Sequence, residues 1–169
     1  MFVKKYIQEE LLELKSMYDR ATNPLEKDLI CKLALIELCG WIEESVDEMV
    51  LTFVGKKTKD HATIKYVGDV LDRNHSFGYE WHFRHLLSLI LGAVNFEKIE
   101  KKVERKIGTK AMATFKSSLG TLKTLRNDVA HTHVKGAARK PGNAPVLVLR
   151  WLDEVFIGLK AFRVQIRKK

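Results

Sequence analysis

Apolar residues recur at steps of three and four positions along most of the chain, with charged residues between them. This spacing follows one face of an α-helix, because 3.6 residues complete a turn. The helices predicted from it span residues 2–19, 24–54, 64–73, 79–94, a segment that begins near Thr109, and 146–167. No sequence repeat, coiled coil or low-complexity region stands out. The pattern therefore predicts an all-α protein, a single compact bundle of five to seven helices.

The second helix has a clear start and an unusual middle. Asn23 and Pro24 form a typical N-terminal signal, because an asparagine side chain caps free backbone N–H groups and proline fits the first helical turn. Residues 29–42 are apolar almost all round, which predicts a central buried rod. In the fourth helix the expected core residues are Trp81, Leu86, Leu89, Ile90 and Ala93.

Two further positions are expected to divide the chain after the fourth helix. Asn95 is predicted to cap the charged segment 96–106, and Gly108 to separate that segment from the next helix. Cations and anions alternate closely in segment 96–106, which favours a solvated face over a dedicated RNA groove.

Composition indicates one soluble domain with an anionic partner. A chain of 169 residues can bury its own core, and a formal charge of +9 makes a nucleic acid a plausible ligand. Cys31 and Cys39 lie about 12 Å apart on one predicted helix, too far for a disulfide, so they are expected to be core residues in a reducing cytosol. The N-terminus does not resemble a signal peptide, and the apolar run 86–94 is too short for a membrane span. A cytoplasmic location without membrane contact is the expectation.

One helix carries polar chemistry at a core position. Its apolar seam is formed by Met112, Phe115, Leu119 and Leu122, and the series continues at positions 126 and 129. Arg126 therefore occupies a position where an apolar residue is due. Because a guanidinium does not lose its proton, Arg126 needs an acidic partner, an interface or an anionic ligand.

The acidic partner hypothesised for Arg126 is Glu37, the only acid inside the apolar run of the second helix. Glu44, seven residues further on the same face, is the second candidate. In the alternative interpretation Glu37 lies on a narrow polar stripe with Asp28 or Lys32. The sequence leaves both interpretations open.

The segment LRNDVAHTH, residues 125–133, resembles the motif of the HEPN superfamily, an Arg and a His separated by four residues with Asn directly after the Arg. Members of that superfamily are small helical bundles, many of them metal-independent ribonucleases of toxin–antitoxin, abortive-infection and type VI CRISPR systems. The resemblance is specific in these nine residues and extends loosely over residues 24–134. It implies one HEPN-like domain over residues 1–169. Within that domain the small, basic, Gly/Pro-rich composition of residues 135–145 predicts a flexible loop, and the apolar pattern that follows predicts a C-terminal helix at 146–167.

The resemblance implies RNA cleavage by Arg126, Asn127 and His131 at a composite site where two copies of the motif meet in a homodimer. Histidine suits acid–base catalysis because its pKa lies near 6.5, and arginine donors match phosphate oxygens. Asn127 and His131 share a helical face, so Asn127 would orient the imidazole ring or a phosphate oxygen. The products would be a 2′,3′-cyclic phosphate and a 5′-hydroxyl. No cofactor is expected.

His133 is both a candidate supporting residue and a departure from one branch of the superfamily. It lies one heptad after Arg126, only about 20° from the same direction on a helix. In HEPN toxins paired with a nucleotidyltransferase antitoxin, a tyrosine commonly stands two residues after the His and is modified for silencing. Here that position is His133, and no tyrosine follows it. Silencing by tyrosine nucleotidylation is therefore not expected, although a cognate antitoxin or defence-system partner of another kind remains a candidate.

Cations near the motif are candidate RNA ligands. Lys123 precedes Arg126 on the same helix, and Lys135, Arg139 and Lys140 lie in the Gly/Pro-rich loop that follows the motif. A solvated loop with incidental charges is the alternative. A metal site at His82 and His85, with Glu80 nearby, has too few ligands at suitable spacing to be expected.

Two functions from different classes fit these residues. The first is a homodimeric, metal-independent HEPN-type endoribonuclease with a toxin or phage-defence role. The second is a non-catalytic HEPN-like module that binds RNA, a nucleotide or a protein partner. In a purely structural interpretation Arg126 pairs with Glu37 inside one subunit and His131 caps a helix. An Arg126 wholly enclosed in one subunit would favour this last interpretation.

Overall fold

The computed structural model describes residues 3–74, 76–130 and 143–169. These residues form seven α-helices and one π-helical turn, and no strand, which confirms the predicted all-α bundle. The helices are α1 (Lys4–Arg20), α2 (Pro24–Lys57), α3 (His61–Asp72), α4 (Arg84–Leu91), α5 (Ala93–Ile107), α6 (Thr109–Ala130) and α7 (Pro145–Ile166), and the π-helical turn spans Tyr79–Phe83.

Local sequence signals set several helix ends. Asn23 caps α2 as predicted, because its side chain accepts a hydrogen bond from the Leu25 N–H at 2.9 Å. Gly92 and Gly108 bound α5 with φ angles of 83° and 87°, a region that residues with a Cβ rarely adopt. The prediction that Asn95 caps the segment after α4 is wrong. The N-cap is Gly92, and the Asn95 side chain donates to the Leu91 carbonyl oxygen at 3.0 Å.

The helices α2 and α7 form the centre of the bundle. Helix α2 packs against α1, α3, α6 and α7, and α7 packs against α1, α2, α5 and α6. The prediction that residues 29–42 form a rod buried on all sides is wrong for one face. Leu29, Leu33 and Ile36 are exposed, because the neighbours of α2 leave one stripe of its surface uncovered.

Aromatic rings fill the core between the π-helical turn, α5, α6 and α7. The ring of Phe162 lies 5.0 Å from that of Phe83 and 5.9 Å from those of Phe96 and Phe115, measured between centroids. Gly158 lets α7 approach α6 here, because a Cβ at this position would lie 2.2 Å from Cδ2 of Phe115. This close approach fixes α6, the helix that carries the motif, against the core.

The π-helical turn changes the buried face at the start of the fourth predicted helix. Tyr79 and Phe83 are buried, whereas Trp81 is 82% exposed and Leu89 is 51% exposed. Ala93 is exposed as well, so the assignment of Trp81, Leu89 and Ala93 to the core is wrong. The wider π turn offsets the helical periodicity on which the prediction rested. Leu86 is buried as predicted, and Ile90 packs against the core.

None of the helices in the described residues combines the length and the apolar character needed to cross a bilayer.

Candidate functional site

Arg126 lies on the last turn of α6, at the end of the apolar seam. The four seam residues that precede it, Met112, Phe115, Leu119 and Leu122, are all buried, as the spacing predicted. The side chain of Arg126 is 32% exposed. Val129 is partly buried against the core. The arginine is therefore anchored beside the core, while part of it remains accessible to a ligand.

The carboxylate beside Arg126 belongs to Glu43 of α2. Arg126 Nη2 lies 3.5 Å from Glu43 Oε1, and 28% of the Glu43 side chain is exposed. The hypothesis that Glu37 is the partner, with Glu44 as second choice, is therefore corrected. Glu37 lies toward α1, where its charge adds to burial in raising the pKa of Glu10. The Glu44 side chain is exposed.

Helical spacing in the sequence already indicated that Glu43 lies on the buried face of α2. Glu43 follows Leu35 and Cys39 in steps of four, and both of these residues are buried. It therefore continues the buried face of α2, just as Arg126 continues the seam of α6. Two charged residues at such positions on neighbouring helices compensate each other, since an isolated charge beside the core would be costly.

The surroundings of the Arg126–Glu43 pair are apolar on one side and acidic on the other. The pKa of the Cys39 thiol is raised to about 12, chiefly by burial and then by the Glu43 carboxylate, while Arg126 acts in the opposite direction. Burial also raises the pKa of Asp47 to about 6, with Glu43, Asp72 and Glu44 acting in the same direction. Arg126 is thus the cation next to a group of carboxylates on α2 and α3.

The residues around Arg126 in the motif divide into two sets. Asn127 is exposed on the surface of α6, directly beside Arg126 in the chain. His131, His133, Lys135, Arg139 and Lys140 lie outside the described residues. Their proposed roles therefore remain sequence predictions.

The side chains of Lys123 and His82 both lie against Gly78, an arrangement that the sequence did not reveal. The side chain of Lys123, one turn before Arg126, crosses Gly78 so closely that a Cβ there would lie 2.9 Å from Lys123 Cδ. The same Cβ would lie 3.3 Å from Nδ1 of His82. Nδ1 is buried and has no hydrogen-bond partner among the described residues. The pKa of His82 is lowered, chiefly by burial and then by the charge of Lys123, while the Gly78 carbonyl opposes this effect.

Glu100 of α5 holds the π-helical turn against α6. The Tyr79 hydroxyl donates a hydrogen bond to Glu100 Oε1 at 2.6 Å, and Lys116 Nζ donates to the same oxygen at 2.8 Å. The Lys116 ammonium also lies 4.5 Å from the centre of the Tyr79 ring. These contacts connect the turn to two helices and so fix the position of Gly78 and His82 beside Lys123.

His82, His85 and Glu80 do not converge on one point. His82 is half-buried toward Lys123, His85 is exposed, and Glu80 Oε2 lies 3.6 Å from Arg84 Nη1. Within residues 3–74, 76–130 and 143–169, no three His, Cys, Asp or Glu side chains are grouped so that they could hold a metal ion.

Comparisons with known proteins give no relative for this chain. No protein-family model, no curated protein and no solved structure shows a significant match.

Proposed function

We propose that this protein is a metal-independent endoribonuclease of the HEPN type, with a toxin–antitoxin or phage-defence role. One observation carries the proposal. The guanidinium of Arg126 is held beside Glu43 at the end of α6, yet about a third of its side chain is exposed. A fixed, accessible cation next to the exposed Asn127 is what recognition of an RNA phosphate requires.

In this proposal Arg126 neutralises charge on the phosphorane formed when the 2′-hydroxyl attacks the neighbouring phosphate. Glu43 limits the directions in which the guanidinium can point, and the remaining N–H donors face the phosphate. His131 of one copy takes the proton of the 2′-hydroxyl, and His131 of the other copy gives a proton to the leaving 5′-oxygen as the bond between that oxygen and phosphorus breaks. Asn127, one helical turn before His131 in the sequence, orients the imidazole ring. Two copies of the motif meet in a homodimer around one phosphate. The products are a 2′,3′-cyclic phosphate and a 5′-hydroxyl.

The second candidate function is a non-catalytic HEPN-like module that binds RNA, a nucleotide or a protein. The observation that favours it is the same ion pair, because Glu43 and Arg126 belong to one chain and stabilise the contact between α2 and α6. In that case Arg126 has a structural role, and replacing it lowers stability, while neither the wild type nor the variant cleaves RNA.

The two candidates differ in a cleavage assay. Wild-type protein and the variants Arg126→Ala and His131→Ala are incubated with end-labelled single-stranded and structured RNA in EDTA. Arg105→Ala, which removes an exposed arginine of α5, is the matched control. We expect cyclic phosphate ends from wild type and from the control, and a loss of about 100-fold or more in rate for the other two variants. No cleavage by any well-folded protein would overturn the proposal in favour of the binding module. Equal cleavage by all four would overturn the roles proposed for Arg126 and His131.

The composite site adds a second requirement. Sedimentation analysis at the concentration used for cleavage should show a dimer, and activity per chain should fall on dilution below the dissociation constant. Full activity in a monomer would contradict the two-copy site while leaving the ribonuclease proposal in place.

A further inference from the structure

Helix α2 carries a stripe of exposed apolar residues, here called the α2 stripe. Its members follow one another at steps of four, four and three residues, so they lie on one face of the helix. Each of them is 39–56% exposed. Single exposed leucines are common on protein surfaces, whereas a contiguous apolar patch indicates an interaction surface. The residues of the stripe are Leu25, Leu29, Leu33 and Ile36.

Helix α1 widens this apolar surface. Tyr6, Glu10 and Met17 lie on one face of α1, at steps of four and seven residues, and Tyr6 and Met17 are exposed. Burial raises the pKa of Glu10, and the charges of Glu37 and Glu13 add to that effect, so Glu37 of α2 lies near this face. A standard protein interface buries about 800 Å² per partner, which needs more than one helix. The stripe and the adjoining face of α1 together form a broader surface.

The charges on the two sides of the α2 stripe are opposite. Lys32 and Glu37 point about 140° apart at 3.6 residues per turn, which places one on each side of the stripe. Glu10 and Glu13 lie on the Glu37 side, and no cation within the described residues is at ion-pair distance from these three carboxylates. In a parallel pair of α2 helices related by a two-fold axis, the acidic side of each copy faces the Lys32 side of the other. In an antiparallel pair, like charges would face each other.

We propose that the α2 stripe is a homodimer interface in which the α2 helices of two copies pack in parallel about a two-fold axis. Leu29, Leu33 and Ile36 meet the same residues of the partner, and Lys32 of each copy pairs with the partner's Glu37. Their separation of five residues is the one at which opposite charges pair between parallel helices. A contact of this kind joins the same surface of both copies, so it closes at two.

The direction of packing decides where Arg126 lies in the dimer. Glu43, which contacts Arg126, lies two turns after Ile36 at the edge of the stripe. A parallel dimer therefore places both copies of Arg126 at one end of the interface, whereas an antiparallel pair centred on Leu33 would separate the two Glu43 residues by about 30 Å along the axis. The partner thus contributes its Arg126 to one composite site. That role rests on the proposed function, while the interface rests on the stripe and the charges beside it.

The first test is the dissociation constant of the dimer, measured by sedimentation. Leu33→Glu should raise it at least about tenfold, because a charge replaces an apolar contact in both copies. Leu12→Glu is the matched control. Leu12 is 47% exposed and Leu33 46%, but Leu12 points away from the Glu10 face of α1, so this variant should dimerise like wild type. A monomeric wild type, or equal dissociation constants for the two variants, would overturn the interface.

A charge exchange tests the parallel arrangement. Lys32→Glu and Glu37→Lys should each raise the dissociation constant at least about fivefold, because each puts like charges opposite one another at two places. The double variant should dimerise like wild type. Within one helix these two side chains point away from each other, so the recovery requires contact between copies. A double variant no tighter than the single ones would overturn the parallel pairing.

Disulfide formation locates the register. Leu29→Cys and Ile36→Cys should each form a covalent dimer on mild oxidation, because each position faces itself across a parallel pair. An antiparallel pair matches only one position with itself, so at most one of these variants would cross-link. Cys31 and Cys39 are buried and do not compete, and Leu12→Cys is the control that should stay uncoupled. Cross-linking of all three variants alike would overturn the proposed register.

The cleavage assay separates this interface from the ribonuclease. A dimer that Leu33→Glu dissociates, in a wild type that cleaves no RNA, would refute the ribonuclease and retain the interface. RNA cleavage that depends on Arg126, together with an unchanged dimer in Leu33→Glu, would refute the interface and retain the ribonuclease.

Discussion

Arg126 Nη2 and Glu43 Oε1 lie 3.5 Å apart and connect the last turn of α6 to α2. Both side chains are about one-third exposed, so solvent screens their attraction, and neither can be replaced without leaving the other partly desolvated. The pair thus stabilises the fold to a limited extent, and Glu43 also limits the orientations of the Arg126 guanidinium. These two roles can be measured separately.

The contribution of the Arg126–Glu43 pair to stability can be measured as the coupling free energy in a double-mutant cycle. We expect Arg126→Ala and Glu43→Gln to show a coupling free energy of about 0.5–1.5 kcal/mol in urea unfolding, because both groups are only partly exposed. The exposed pair Lys101–Glu97 of α5 is the control and should show no measurable coupling, because solvent screens both charges. Additive effects of the Arg126 and Glu43 substitutions would mean that the contact contributes nothing to stability.

Because the pKa of Asp47 is raised, replacing Asp47 by a neutral residue is expected to increase stability, and by an amount that depends on pH. The folded pKa of about 6 lies above the ordinary value of 3.8, so ionisation costs more in the folded than in the unfolded protein. The destabilisation is absent below about pH 4, grows as pH rises and is complete above pH 6. Asp47→Asn should therefore raise the free energy of unfolding by about 1–2 kcal/mol at pH 7.5, after allowance for solvent screening, and leave it nearly unchanged at pH 4.

Urea unfolding at these two pH values measures the difference. Asp69→Asn, at an exposed position of α3, is the control and should cause the same small change at both. If the gain for Asp47→Asn were as large at pH 4 as at pH 7.5, ionisation of this carboxyl would not be its cause.

A side chain at position 158 is expected to clash with the core. Gly158→Ala would place a methyl group 2.2 Å from Cδ2 of Phe115, so α6 and α7 must move apart, at a cost of about 1–3 kcal/mol. Gly40→Ala in α2 is the matched control, because a Cβ there has nothing within 4 Å. It should leave stability unchanged or raise it by up to about 1 kcal/mol. Thermal unfolding of both variants is sufficient, and equal melting temperatures would show that the core accommodates the methyl group.

Cys39 reports on the contact between α2 and α6. Its thiol is buried and its pKa is raised to about 12, so at pH 8 it is protonated and inaccessible. In a Cys31→Ala background we expect Cys39 to react with a disulfide reagent only at the rate of unfolding, and quickly in denaturant. Rapid reaction of the native protein would show that this part of the bundle opens locally.

Periodicity and local hydrogen bonding made several elements predictable. The seam Met112, Phe115, Leu119 and Leu122 is buried because its spacing matches the helical turn, whatever the neighbouring helices are. Asn23 caps α2 through a bond to a residue only two positions away. The same reasoning placed Arg126 at the edge of the core.

Other features depend on irregular geometry that periodicity does not encode. Trp81 is exposed because a π turn offsets the helical phase at Tyr79–Phe83. Leu33 is exposed because the neighbours of α2 leave one stripe uncovered. Neither the residue types nor their spacing in the sequence predicts that Trp81 and Leu33 are exposed.

An all-helical chain and an arginine at a position where an apolar residue belongs could both be predicted from the residue order, because they depend on contacts within a few turns of one helix. The pairing of Glu43 with Arg126 and the place of His82 and Lys123 on either side of Gly78 could not be predicted in this way. Those pairs join helices that are distant in the chain. Their formation depends on how the helices cross, and the packing of the whole core sets that geometry.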